Sequence, residues 1–260
     1  MDAGSTVADI AVSRDGEWVV SGTKSGMVTV WNAESRSKVT EFNAHGKCVN
    51  AVDVSPDATK IMTGSDDHTA CVWSLSTGER LLGPLEHDSW VAAAKFSPDG
   101  HLIATATWER DSIRVYDSQN GSLLIKFPVQ VSSALNQSLT WAIDSKQLFA
   151  LSKDGYIHRV DVSTKTTLSK RHIHGSNDVR CIALAINGTF IAASAGSSVS
   201  FWDTATREQI GSVIGYTHLI WSMAISSDCD LVTGGENKIT LRTLCDVLPS
   251  DYVDNVSVPA

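Results

Sequence analysis

Residues 45–73 read HGKCVNAVDVSPDATKIMTGSDDHTACVW, a pattern that predicts three short β-strands joined by two tight turns. The runs 49–54 and 61–63 are rich in apolar and β-branched residues, as half-buried strands are. The first run is followed by Ser55-Pro56-Asp57-Ala58 and the second by Ser65-Asp66-Asp67-His68, which both have the chemistry of turns. The third run ends at Trp73. So thin a unit cannot bury both of its faces, and we expect copies of it to stack against one another.

The same pattern recurs along the chain at steps of 40 to 45 residues. One marker is an acidic or amide residue in the first turn, found at Asp15, Asp57, Asp99, Asp144, Asn187 and Asp228. A second marker is the residue that closes the third strand, found at Trp31, Trp73, Tyr116, Val160, Trp202 and Arg242. The two markers agree in phase. They predict one domain over residues 1–260, with repeats at approximately 5–45, 46–87, 88–131, 132–175, 176–217 and 218–260.

A period of about 40–45 residues, with a His-Gly pair before the first strand and an aromatic-Asp pair after the third, is typical of propeller blades. From roughly residue 5 to 245 the chain resembles the WD-repeat β-propellers. The resemblance implies an all-β propeller of four-stranded antiparallel blades, six in number, with seven as the alternative. The sixth blade leaves the ring closure open: residues 252–258 could add its outer strand, its edge could stay free, or the chain could be part of a longer propeller.

Charge and cysteine content exclude several classes of function. The chain has 21 Lys and Arg against 29 Asp and Glu, a net charge of -8, which argues against a general nucleic-acid or anionic-membrane binder. Its five cysteines are widely spaced without a Cys-x-x-Cys pair, so neither a disulfide framework nor a zinc site is expected. We find no secretory signal and no apolar run of membrane-spanning length. We therefore expect a cytoplasmic location, with the nucleus as an alternative.

Four residues of the second repeat match the hydrogen-bonded tetrad of the family: His45, Thr63, Asp67 and Trp73. The resemblance places them inside the blade, so we interpret them as a structural network rather than a catalytic triad, and we expect the second blade to be the most rigid. His172 and His174 have the spacing of metal ligands on a strand, but no third ligand is near them in the sequence. We predict no catalytic residue, no cofactor and no metal site.

Aligning the first strands of the repeats places Ala8, Asn50, Ala92, Gln137, Arg180 and Trp221 at equivalent positions. The resemblance implies that such positions surround the mouth of the central channel on one face. The turns between second and third strands open on the same face and contribute Lys24, Asp66, Trp108, Arg110, Lys153 and Glu236. The predicted partner-binding residues are Arg180, Trp221, Trp108, Asn50, Gln137, Arg110, Lys24 and Lys153. Trp and Arg often anchor interfaces. Trp108 could instead pack on its own loop or on the adjacent blade, and Trp221 could pack at the mouth of the ring.

The function that the resemblance implies is a non-catalytic scaffold for protein–protein interaction, which binds a protein or peptide at one end of the propeller channel. The alternatives are a propeller that binds small molecules or glycans through Trp108 and Trp221, and a sensor fragment of a larger receptor. Self-association through an open last blade is a further hypothesis, since a free sheet edge pairs readily with another strand.

Overall fold

In a computed structural model, the protein is described over residues 1–108, 113–129, 138–152, 154–172, 179–185, 188–226, 229–235 and 238–253. The chain forms two compact units, Met1–Val131 and Ser132–Ala260. Each unit contains three β-sheets, and in each sheet neighbouring strands are consecutive in the chain and antiparallel. We number the sheets as blades one to six in chain order.

Unit 1 contains three four-stranded blades. Their strands are β1 (Val7–Val12), β2 (Trp18–Thr23), β3 (Met27–Asn32) and β4 (Lys38–Asn43) in blade one; β5 (Val49–Val54), β6 (Lys60–Ser65), β7 (Thr69–Ser74) and β8 (Arg80–Glu86) in blade two; and β9 (Val91–Phe96), β10 (Leu102–Thr107), β11 (Ile113–Asp117) and β12 (Leu123–Phe127) in blade three.

Unit 2 contains two four-stranded blades and a third blade with three described strands. The strands are β13 (Leu139–Trp141), β14 (Gln147–Leu151), β15 (Tyr156–Asp161) and β16 (Thr166–His172) in blade four; β17 (Val179–Leu184), β18 (Phe190–Ala195), β19 (Ser198–Asp203) and β20 (Gln209–Gly215) in blade five; and β21 (Ser222–Ile225), β22 (Asp230–Gly235) and β23 (Lys238–Thr243) in blade six. A 3-10 helix (Leu244–Asp246) and α1 (Ser250–Val253) follow.

The predicted fold class is confirmed: the protein is an all-β, six-bladed β-propeller of antiparallel blades, with almost no helix. Of the alternatives left open for the C-terminal segment, an outer strand over residues 252–258 is not formed at its first residues. Tyr252 lies in α1, and its ring packs against Phe190 of blade five. Its hydroxyl donates a hydrogen bond of 2.7 Å to the carboxylate of Asp203, which raises the pKa of Tyr252 to about 12. Residues 254–258 of that expected strand lie outside the described residues.

Within unit 1, glycines let neighbouring blades approach closely. A Cβ on Gly22 of blade one would lie 2.7 Å from Val49 Cγ1 of blade two, and one on Gly64 would lie 2.6 Å from Val91 Cγ1 of blade three. Real Cβ atoms do not come this close to other carbon atoms, so only glycine fits at either position. The buried face so formed holds Val20 and Val30 of blade one against Val52 and Ile61 of blade two.

Carboxylates also tie the first strands of unit 1 together. Asp9 Oδ2 accepts the backbone N–H of Val52 at 2.8 Å, and Asp53 Oδ2 accepts that of Phe96 at the same distance. β5 and β9 are edge strands of their sheets, so backbone groups on one side have no partner within the blade. Burial alone would lower the pKa of Lys95, but Asp53, 3.3 Å away, and Asp9 outweigh it and raise that pKa. The carboxylates thus satisfy edge groups and join three blades.

Candidate functional site

The loop before the first strand and the turn between the second and third strands lie at the same end of a blade, because consecutive strands are antiparallel. We call this the upper end. A β-bulge occurs there in all three blades of unit 1. Val7 and Asp9 pair with Thr23 and Gly22, so Ala8 is the extra residue. Asn50 and Ala92 are the extra residues of the bulges in blades two and three. A bulge re-aims the side chain of its extra residue.

Asn50 is held by bonds inside unit 1. Its side-chain amide donates to Asp66 Oδ1 at 2.5 Å and to the carbonyl oxygen of Val91 at 3.3 Å, and only 4% of the residue is exposed. The amide therefore links the second turn of blade two to the first strand of blade three. This predicted partner-binding residue has little surface of its own to offer, and its clear physical role is to orient the Asp66 carboxylate.

Two tryptophans form the most prominent apolar feature of this end. Trp90, just before β9, and Trp108, just after β10, lie edge to face with ring centroids 5.9 Å apart and an interplanar angle of 76°. The backbone N–H of Trp108 donates to the carbonyl of Trp90 at 3.0 Å. Trp90 is 41% exposed, and Trp108 is partly exposed. Trp108 therefore packs against a ring of its own blade that is itself partly exposed to solvent.

Lys24 and Asp66, from the second turns of blades one and two, both act on the thiol of Cys48. Partial burial and the Asp66 carboxylate raise the pKa of the Cys48 thiol, while Lys24 acts in the opposite direction. The backbone N–H of Asp66 donates to Cys48 O at 3.0 Å. Lys24 is exposed and Asp66 is partly exposed. Unit 1 therefore brings Lys24, Asn50 and Trp108, three predicted site residues, to one end of three adjacent blades.

In unit 2 fewer of the predicted site residues can be located. Trp221, directly before β21, is 52% exposed, and its backbone N–H donates to Gly234 O at 2.8 Å. Arg180 belongs to β17 at an irregularity in its pairing with β18, but its side chain lies outside the described part of the chain. Gln137 and Lys153 fall entirely outside it, as does Arg110 of unit 1.

The predicted tetrad of blade two is joined by hydrogen bonds. His45 Nδ1 lies 2.9 Å from Asp67 Oδ2, and His45 Nε2 lies 2.7 Å from Thr63 Oγ1. The indole N–H of Trp73 donates to Thr63 Oγ1 at 2.8 Å. Thr63 therefore accepts from Trp73 and donates to His45, which leaves a neutral imidazole whose Nδ1–H donates to Asp67. No atom of this chain of bonds is a free nucleophile.

Electrostatics support the neutral imidazole. Burial lowers the pKa of His45, although the nearby Asp67 opposes the shift. Partial burial would raise the pKa of Asp67, but hydrogen bonds from Thr69 and the contact with His45 outweigh it, and that pKa is lowered. A neutral histidine between a carboxylate and a hydroxyl, with the hydroxyl shared by an indole, satisfies every buried polar group of the set. The arrangement stabilises the blade.

Other blades carry partial versions of the network. In blade three, His87 Nδ1 donates to Leu85 O at 2.8 Å, while Nε2 lies 2.8 Å from Thr105 Oγ1 and 3.2 Å from the hydroxyl of Tyr116. In blade five, the indole N–H of Trp202 donates to Ser200 Oγ at 2.8 Å. His174, expected to be in this network, lies outside the described residues.

Blade six has the same residue types but not the bonds. His218 and Thr233 are buried, yet both imidazole nitrogens and the threonine hydroxyl have no hydrogen-bond partner among the described residues. Arg242 takes the place that Trp73 has in blade two, at the register position opposite Leu231, and is exposed. Without an indole donor, the hydroxyl of Thr233 has lost the bond that would orient it.

Among the described residues, no group of three or more His, Cys, Asp or Glu side chains is arranged to hold a metal ion. In the same residues, no helix is long and apolar enough to cross a membrane. His172 is exposed on β16, and His174 lies outside the described residues.

Sequence reasoning missed Trp90 as a site residue. Trp90 directly precedes the predicted first strand of the repeat that contains Trp108. This position could have revealed it, because Val91 of the first strand pairs with Thr107 of the second. The residues that follow Val91 and Thr107 outward at this end, Trp90 and Trp108, must then be neighbours.

Comparison with protein families gives one match. The sequence profile of the WD domain, G-beta repeat family matches residues 2–32, 36–74, 80–117 and 165–203, which together make up more than half of the chain. Each matched segment ends at the last residue of a third strand, in blades one, two, three and five. No curated protein matches the sequence at a significant level.

Proposed function

The chain belongs to the WD domain, G-beta repeat family, whose propellers are commonly non-catalytic scaffolds, and on this basis we propose that it binds a protein or peptide partner at the upper end of its blades. The observation that carries the proposal is the pair formed by Trp90 and Trp108 in unit 1. Large exposed aromatic side chains are enriched among the residues that anchor protein interfaces.

The pair is held in place before any partner arrives. The two rings contact each other edge to face, and the backbone bond between Trp108 and Trp90 fixes the ends of both strands. Little side-chain freedom then has to be lost on binding, and each ordered side chain otherwise opposes association by about 0.5–1.5 kcal/mol. Pre-organised aromatic surface of this kind supports binding.

Polar and charged residues lie at the same end of the neighbouring blades. Asp66 is hydrogen-bonded to Asn50, whose amide also donates to Val91 O next to Trp90, and Lys24 is exposed in the corresponding turn of blade one. A polar rim around an apolar centre is the usual anatomy of an interface. In unit 2, we include exposed Trp221 among the residues that contact the partner. The sequence-based prediction that Arg180, Gln137, Arg110 and Lys153 also contact it is part of the proposal.

The proposal is tested with the double variant Trp90→Ala/Trp108→Ala and the matched control Leu123→Ala. Leu123 is 51% exposed on β12, the fourth strand of the same blade. Quantitative pull-down from a lysate of the source cells should show partners bound by the wild-type protein and the control but lost from the double variant. Equal recovery by all three proteins, with unchanged far-UV circular dichroism, would contradict binding through the tryptophan pair.

The alternative of glycan or small-molecule binding uses the same rings as stacking surfaces. A glycan array and a peptide array, each incubated with the wild-type protein and the double variant, separate the two. Signal that depends on the tryptophans on the peptide array alone supports the scaffold; signal on the glycan array alone replaces it.

Self-association is the second proposal, and blade six favours it. Among the described strands, β23 pairs only with β22, and Ile239 and Leu241 on β23 are 79% and 65% exposed. Every other blade has a fourth strand paired at this edge. An edge strand with exposed apolar side chains is a ready site for pairing with a strand of a second copy.

A further inference from the structure

Unit 2 contains a groove between blades four and five that the end-of-blade proposal does not involve. Its floor consists of four apolar side chains, Phe149 and Ile157 from blade four and Ile191 and Trp202 from blade five. Arg159, Thr204 and Arg207 line its rim, and the cleft is shallow and open to solvent. Arg159 also lines an adjoining, more polar cleft between the same two blades. The two clefts form one groove crossed by an arginine.

The groove exists because blade four breaks the repeat at one position. Strand pairing places Val30, Val72, Val115 and Phe201 opposite residues 20, 62, 104 and 192, and all four side chains are buried. In blades one, two and five this residue packs in the core shared with the following blade. The equivalent residue of blade four, opposite Phe149, is Arg159. A charged side chain replaces an apolar one at a blade–blade interface.

Arg159 is held across the groove. Its Nε donates to Gln147 Oε1 at 2.7 Å, and its Nη1 donates to the carbonyl oxygen of Thr204 at 3.1 Å. These bonds use two of the five guanidinium N–H groups. No carboxylate lies within ion-pair distance of Arg159 among the described residues. The guanidinium is therefore fixed in orientation and still has donors to offer.

The rest of the rim has the same excess of donors. Arg207 is exposed and makes no side-chain hydrogen bond or ion pair within the described chain. The carboxylate on this rim, Asp203, already accepts from the hydroxyl of Tyr252 at 2.7 Å and from the backbone N–H of Ala205 at 2.8 Å. Asp144, in the adjoining cleft, accepts the backbone N–H of Lys146 at 2.9 Å. Two guanidinium groups thus face the groove while its carboxylates are engaged elsewhere.

We propose that this groove binds an extended peptide segment in which a large apolar side chain, such as Leu or Phe, stands next to an Asp or Glu. The apolar side chain covers the floor around Phe149 and Trp202, and the carboxylate accepts hydrogen bonds from Arg159 and Arg207. Arginine suits this role because its planar fork matches a carboxylate. An inorganic anion alone would leave the apolar floor uncovered.

The experiment uses a library of short peptides with Leu or Phe fixed at the centre and all other positions random, selected against the full chain. We expect enrichment of Asp or Glu beside the fixed residue. The best selected peptide is then labelled, and its Kd is measured by fluorescence polarisation. Replacing its acidic residue by the matching amide should weaken binding roughly tenfold or more, the loss expected when a charged hydrogen bond is removed.

Three protein variants are measured with the same labelled peptide. Arg159→Val introduces the residue that blades one to three have at this position, and should weaken binding at least as much as the amide peptide while unfolding at the same temperature as the wild type or higher. Arg207→Asn removes the second guanidinium at a position with φ 67°, which Asn tolerates. Its matched control is Arg36→Asn, at the equivalent turn position of blade one with φ 56°, and should bind as the wild type does.

The double variant Trp90→Ala/Trp108→Ala should also bind this peptide normally, so the groove and the end of the blades are tested separately. The proposal is overturned by a library selection without acidic preference, by equal affinity for the acidic and amide peptides, or by undiminished binding to Arg159→Val. The peptide substitution decides the matter even if a protein variant does not fold.

Discussion

A pair of matched threonine substitutions tests whether the hydrogen-bond network or mere burial stabilises the blades. Thr63 of blade two and Thr233 of blade six occupy the same register position, and both are fully buried. The hydroxyl of Thr63 serves both His45 and Trp73, whereas that of Thr233 has no partner among the described residues. Substitution by Val, which has nearly the same shape, removes only the hydroxyl in each case.

The two substitutions should change stability in opposite directions. Thr63→Val leaves two buried polar atoms, His45 Nε2 and the Trp73 indole N–H, without their partner. Each such atom costs about 1–3 kcal/mol, so we expect a loss of about 2–4 kcal/mol once the added methyl group is counted. Thr233→Val instead removes a buried polar atom that is already unsatisfied, and should be neutral or stabilise blade six by about 1 kcal/mol.

Because the residues lie in different units, a single unfolding curve does not separate their effects. Native-state hydrogen exchange with mass spectrometry resolves them: the free energy of opening is read from peptides of β6 and β7 for Thr63→Val, and from peptides of β22 and β23 for Thr233→Val. Wild-type exchange also tests the expectation that blade two is the most rigid, since its strand amides should open most slowly.

Equal losses in the two variants would refute the reasoning, because they would mean that the threonine methyl and its packing, rather than the bonds of the hydroxyl, stabilise these positions. A destabilising Thr233→Val by itself would show that this hydroxyl has a partner, such as a buried water, that supports the blade.

Three further changes have defined outcomes. The pKa of His87 falls to about 4 on burial, against about 6.5 in an unfolded chain, so its contribution to stability is complete above pH 6.5 and lost as the pH falls toward 4. The loss should reach about 2 kcal/mol at pH 5, and His87→Gln should flatten the pH dependence of urea unfolding between pH 7 and 5. Arg242→Trp should give Thr233 an indole donor and slow hydrogen exchange in blade six; unchanged exchange would show that the indole alone does not rebuild the network. Ile239→Lys should shift any dimer seen by analytical ultracentrifugation to monomer, and a monomeric wild type would remove the self-association proposal.

The fold could be predicted from the repeat period because each blade is marked by local sequence signals. Turn residues such as Asp57 and closing residues such as Trp73 recur at a nearly constant step, and hairpins joined by short turns need no long-range information to be placed. The C-terminal segment had no repeat marker to anchor it. An outer strand beginning at Tyr252 was therefore only one of several alternatives, and in the structure the Tyr252 ring packs on Phe190 and its hydroxyl bonds to Asp203 from a short helix.

The candidate site was predictable only in outline. Antiparallel pairing correctly implies that Lys24 and Trp108 lie at the same end of their blades, but the bulge at Asn50 depends on how β5 and β6 pair, and it turns the amide inward to Asp66 and Val91. The contact of Trp90 with Trp108 likewise follows from the pairing of β9 with β10.

The sequence by itself therefore determined the blades and their order, since these follow from short-range alternation and from a period shared by six copies, while the residues of the tetrad follow from the resemblance to the family. Tertiary structure decided which polar groups are satisfied and where surfaces open. Thr63 and Thr233 occupy equivalent positions in the sequence, but of the two hydroxyls only that of Thr63 is bonded to an indole and an imidazole of the described chain. Arg159 looks like an ordinary strand residue until blade five packs against it and leaves a groove. Burial and hydrogen bonding depend on atoms brought together from distant parts of the chain, and a local pattern does not record them.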